Sequence, residues 1–71
     1  KLSFKEQREL QEMPARIEAL EAEQRAIGER LASTTLYTDE PQRVGELQAR
    51  YAQIDDELMQ ALERWEALSA R

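Results

Sequence analysis

Residues 41–68 read PQRVGELQARYAQIDDELMQALERWEAL. Within them Val44, Leu47, Tyr51, Ile54, Leu58, Ala61, Trp65 and Leu68 recur at alternating steps of three and four. That rhythm is a heptad, with Val44, Tyr51, Leu58 and Trp65 at position a and Leu47, Ile54, Ala61 and Leu68 at position d. It predicts a helix over about 41–69. One helix cannot bury such a stripe alone, so the remaining residues have to supply its partner.

Working back towards the N-terminus, Leu10, Met13, Ile17, Leu20, Gln24, Ile27 and Leu31 keep the same three-four rhythm. Ser3 followed by Glu6 has capping-box spacing and places a helix start at Phe4. Pro14 lacks an amide N–H and restrains Met13, so a kink is expected there. The expected helical segments are about 4–13, 14–33 and 41–69, with a tip loop at about 34–40. Ser33-Thr34-Thr35 favours local side-chain bonds over helix, and Asp39 ahead of Pro41 resembles a cap. Leu36 and Tyr37 are too apolar for a free loop and should plug the open end of the seam. A connection this short makes the helices antiparallel neighbours.

The fold class is therefore all-α: an antiparallel two-helix coiled-coil hairpin with a short N-terminal helical segment kinked at Pro14, forming a single domain over 1–71. In such a pair a positions oppose d positions, and opposed residue numbers add to a constant. A constant of 78 sets Leu31 by Leu47, Ile27 by Tyr51, Leu20 by Leu58, Ile17 by Ala61 and Met13 by Trp65. Gln24, polar in the seam, reads as a register device.

Composition narrows the functions. Among 71 residues there is no Cys and no His, which removes disulfides, thiolate sites and imidazole acid–base chemistry. No metal or cofactor site is expected in this domain. Hydrophobic residues make up 41% and charged residues 35%, with two Gly and two Pro, a composition of long exposed helices. No apolar run reaches the ~18 residues of a membrane span, and no signal-peptide pattern opens the chain, so no membrane partner is expected and a cytoplasmic location is. Starting at Lys1 rather than Met suggests a piece of something larger. Catalytic carboxylates need a cleft that separates their pKa values, and a hairpin has none, so neither catalytic residues nor an enzyme activity is expected here.

A net charge of −5 argues against strong nonspecific nucleic-acid binding on average. The distribution matters more. Glu18, Glu21 and Glu23 lie across from Asp55, Asp56 and Glu57 at the waist. Lys1, Lys5 and Arg8 come together with Arg64 and Arg71 at the base. Arg43, Arg50, Arg64 and Arg71 all occupy position g, and matching them against Glu9, Arg16, Glu23 and Arg30 leaves cations over. The row is expected to exceed what ion pairing requires.

Lys1-Leu2-Ser3-Phe4-Lys5-Glu6-Gln7-Arg8-Glu9-Leu10, then Met13-Pro14 and Ile17-Glu18-Ala19-Leu20-Glu21, with Leu36-Tyr37 and the late Glu63-Arg64-Trp65-Glu66, resemble the C-terminal coiled-coil domain of Uup-type ABC-F ATPases. The resemblance covers essentially the whole chain. It implies two ATP-binding cassettes upstream, to which ATP, Mg and hydrolysis would belong. It also implies association with DNA or with ribosome-associated RNA. Phosphate contacts are then expected at Lys1, Lys5, Arg8, Arg64 and Arg71. The alternative is a protein-interaction or positioning arm, docking on the parent cassettes, on a ribosomal component or by self-association, with Leu36 and Tyr37 as its tip contact.

Overall fold

The computed structural model describes residues 2–70, arranged as α1 (Phe4–Leu31), α2 (Thr34–Asp39) and α3 (Pro41–Ser69). The two long helices pack along one another in a rod 54 Å long and 15 Å across. No described helix is long and apolar enough to cross a membrane.

α1 begins as its sequence dictates. Ser3 Oγ accepts the Glu6 amide and Glu6 Oε1 accepts the Ser3 amide, both at 3.1 Å, so two amides left over at the helix start are satisfied reciprocally. From there the helix runs through Pro14 as one element, so the segments expected at 4–13 and 14–33 are joined and the second ends at Leu31. Pro14 is exposed, so its ring meets solvent rather than α3. Met13 and Ile17, on either side of it, both pack with Ala61. That shared packing holds both halves of α1 on α3 and offsets the ~3 kcal/mol that an interior proline costs.

The connection differs from a loop. Residues 34–39 form a six-residue helix, and α1 stops at Leu31. Leu36 is 3% exposed, buried where α2 packs on α3 and α1. Thr38 donates back to the Thr35 carbonyl at 3.1 Å, and Tyr37 donates its hydroxyl to the Leu31 carbonyl at 2.7 Å. The second bond satisfies an acceptor that the end of α1 would otherwise leave open. Asp39 is the last residue of α2 rather than the cap of α3. Glu40 holds the cap position without a side-chain cap bond, and Pro41 follows at the first helical position.

Two apolar clusters run along the seam. Met13, Ile17 and Ala61 form one, with Leu58 and Trp65 against it. Leu20, Ile27 and Ile54 form the other, with Leu31, Leu47 and Leu58 against it. Low numbers on α1 meet high numbers on α3, so the helices are antiparallel, and the partners fit opposed numbers adding to 78. Gln24 bridges the arms within the span of the second cluster, donating to Asp55 Oδ1 at 2.6 Å and to the Tyr51 carbonyl at 3.5 Å.

Candidate nucleic-acid interface

Five cations were expected to meet phosphates at the base. Lys1 and Arg71 lie outside the described residues. Lys5 and Arg8 occupy the first two turns of α1, three residues apart and therefore neighbours on one face. Both are exposed, and among the described residues neither has an ion-pair partner within 4.0 Å.

Arg64 is different. Its Nε donates to Glu9 Oε2 at 2.8 Å and its Nη2 to Glu9 Oε1 at 3.0 Å, a bidentate fork. Glu6 Oε2 stands 4.0 Å from the same guanidinium. The hydrogen bonds from Arg64 hold the Glu9 carboxyl below its ordinary range, and Glu9 in turn raises Arg64. Arg64 is the one described cation of the expected set that the fold already engages.

Arg50 and Arg43, the other described members of the row, are engaged likewise, while Arg71 lies outside the described residues. Arg50 donates from Nε and Nη2 to Glu23, both at 2.7 Å, and from Nη1 to Glu57 at 3.0 Å. Those bonds lower Glu23 and raise Arg50. Arg43 lies 3.8 Å from Glu40 and 3.6 Å from Glu46, while Arg30 meets Glu40 at 3.2 Å. The numbers of the pairs Glu9–Arg64 and Glu23–Arg50 add to 73, five fewer than the seam constant. The heptad explains the offset: position g precedes a by one residue and precedes d by four. Applied to the sequence, this rule would have paired Glu9 with Arg64, Arg16 with Glu57 and Glu23 with Arg50. Only Arg30 and Arg43 would have met with like sign, and Glu40, a residue outside the heptad seam, sits between them. Glu57 turns to Arg50, and Arg16 has no ion pair among the described residues.

At the other end, the expected tip contact divides. Leu36 is buried, whereas Tyr37 is 48% exposed with its hydroxyl held by the Leu31 carbonyl. An open groove lies beneath the tip, lined by Glu29, Arg30, Thr35, Asp39 and Glu40 among others. Its Arg30 is engaged by Glu40. Among the described residues, no group of three or more carboxylates is placed to hold a metal ion.

Residues 1–70 match the family model described as the ABC transporter C-terminal domain. The chain belongs to that family. It is 39% identical over 70 residues to the ATP-binding protein Uup of Escherichia coli (strain K12), a match covering 99% of this chain and 11% of that relative. The family match and that identity make it a C-terminal domain of the Uup type of ABC-F protein. The chain spans about a ninth of that relative's length. No solved structure matches it.

Proposed function

We propose that this domain is a nucleic-acid-contacting accessory hairpin of a soluble ABC-F ATPase, meeting phosphates of DNA, or of ribosome-associated RNA, at its base. The observation that carries the reading is that Lys5 and Arg8 share one exposed face without an ion-pair partner among the described residues. Glu9 is the carboxylate whose pKa feels Lys5, and it is itself held by Arg64. Lys1 and Arg71 adjoin the same end in sequence. Glu18, Glu21, Asp55 and Asp56 at the waist repel a polyanion, which confines the contact to the base. ATP and Mg binding, and any hydrolysis, belong in this reading to the parts of such a protein outside these residues.

Two phosphate contacts give a slope of log affinity against log salt of about −1.8 on a duplex, roughly a tenfold loss between about 50 and 200 mM salt. Two more, from Lys1 and Arg71, would double that slope. Fluorescence-anisotropy titration of a labelled duplex at several salt concentrations tests the proposal. A slope in this range supports it. Binding insensitive to salt, or none at high micromolar concentration, removes it. A protein contact through the tip loses its apolar anchor, because Leu36 is buried. Tyr37 stays half exposed at the tip, with its hydroxyl held by the Leu31 carbonyl.

A further inference from the structure

The seam of α3 is covered unevenly. Three of its four d residues, Ile54, Ala61 and Leu68, are 0%, 4% and 0% exposed and Leu47 is half-buried, whereas none of its a residues Val44, Tyr51, Leu58 and Trp65 is buried. Positions a, e and b follow one another around a helix that turns about 100° per residue. The e residue Leu62 is 50% exposed and the b residue Met59 is 61% exposed. One flank of the hairpin therefore carries a continuous apolar strip from Leu58 and Met59 through Leu62 to Trp65. The opposite flank, at position g, is the one bridged by Arg64–Glu9 and Arg50–Glu23.

The surroundings of the strip state its chemistry. Asp55, Asp56 and Glu63 sit three or four residues from Met59, and Glu66 sits four from Leu62, so all four are its surface neighbours. All four are exposed, and among the described residues none has a cation within 4.0 Å. Asp55 accepts a hydrogen bond from Gln24, which is uncharged. α1 adds Glu18 and Glu21 on the same flank, with Arg25 as a cation one turn further towards the tip.

We propose that this flank is a docking surface for a cationic amphipathic helix of a partner protein. Leu or similar side chains would cover Met59, Leu62 and the free edge of Trp65, and flanking Lys or Arg would reach the four carboxylates. Laying an apolar helix face into such a strip is an established mode of recognition, read at steps of three and four. A second copy of this chain fits poorly, because two-fold pairing sets the same four carboxylates against one another. Nucleic acid is repelled for the same reason. The inference concerns a different surface from the phosphate contacts of the base and stands independently of them.

The test uses the 71-residue chain and a designed Lys/Leu helical peptide without Trp, with Leu at the a and d positions. Trp65 is the sole tryptophan and stands one turn from Leu62, so its emission reports occupancy. The expected result is micromolar binding with a blue shift of Trp65. It should weaken at least tenfold in Met59→Ser/Leu62→Ser and, separately, in Asp56→Asn/Glu63→Gln. All four side chains are exposed, so helix content should be retained, and circular dichroism checks this. Equal binding of a scrambled peptide of the same composition would overturn the proposal, as would unchanged binding by the Met59→Ser/Leu62→Ser variant. Sedimentation showing that this flank pairs two hairpins and excludes the peptide would overturn it too.

Discussion

Replacing Ile54 by Ala perturbs the one place where the seam is fully closed at mid-rod. Ile54 is 0% exposed and packs with Leu20 and Ile27, with Leu47 and Leu58 against the same cluster. The change removes three carbons, about 2.4 kcal/mol at ~0.8 kcal/mol per buried methylene. A residual cavity adds to this, and measured Ile→Ala costs in cores run from about 2 to 5 kcal/mol. A rod of two long helices can close part of the gap, which favours the lower half of that range, about 3 kcal/mol. A chain of this length has roughly 4–11 kcal/mol of stability in all, so the loss is a large share. It corresponds to a fall in melting temperature of roughly 12–24 °C. Urea unfolding followed by helical ellipticity should show the midpoint falling with the slope unchanged. Leu62→Ala, at a side chain 50% exposed, serves as the control and should cost about 1 kcal/mol or less. Equal losses at the two positions, or an Ile54 cost below about 1 kcal/mol, would refute the packing described here.

Gly28→Ala and Gly45→Ala should each raise stability by about 0.5–1 kcal/mol, because both sit inside helices and neither has positive φ. A Cβ at Gly28 would stand 3.7 Å from Tyr51 Cε2, an ordinary contact, and one at Gly45 would meet open space. A loss at either site would show a clash that the packing does not contain. Glu9 and Glu23 are held below their ordinary value of 4.5 by Arg64 and Arg50. Their contribution is thus present above pH 4.5 and lost as pH falls through the lowered values. The stability gap between the wild type and Glu9→Gln/Glu23→Gln should therefore narrow below pH 4.5, and a gap constant with pH would contradict the ion pairs. The chain has no Cys, so engineered pairs report register cleanly. Ile17→Cys/Ala61→Cys should form an intramolecular disulfide on oxidation, whereas Ile17→Cys/Ile54→Cys should not, since the latter needs a one-heptad shift.

The seam was legible because heptad spacing reports a local geometry that every turn of helix repeats. Leu10 to Leu31 and Val44 to Leu68 therefore predicted both arms, their antiparallel order and their register. What the spacing missed was decided by single tertiary contacts. Burial of Leu36 and the Tyr37 bond to the Leu31 carbonyl make a helix of residues that read locally as a loop. Pro14 could not be judged from its own chemistry, because packing of Met13 and Ile17 on Ala61 overrides the break it favours. At the base, residue type correctly brought Lys5, Arg8 and Arg64 to one end. That Glu9 takes Arg64 was also within reach, since the g-position offset follows from the seam constant, but sign-matching alone left Arg71 as a second partner. The exposed flank at Met59 and Leu62 carried little signal, as two apolar residues off the seam are common on any helix surface.

The central functional claim is that cations left unpaired by the fold carry the phosphate contact and that the paired Arg50 and Arg64 do not. The most direct measurement is the salt dependence of duplex binding for the wild type, Lys5→Gln/Arg8→Gln and Arg64→Gln. Losing the first two cations should flatten the slope of log affinity against log salt by about 1.8. Arg64→Gln should leave that slope unchanged while lowering the urea midpoint, because its loss frees Glu9. A slope that falls by about 0.9 in Arg64→Gln and is untouched in Lys5→Gln/Arg8→Gln would contradict the account.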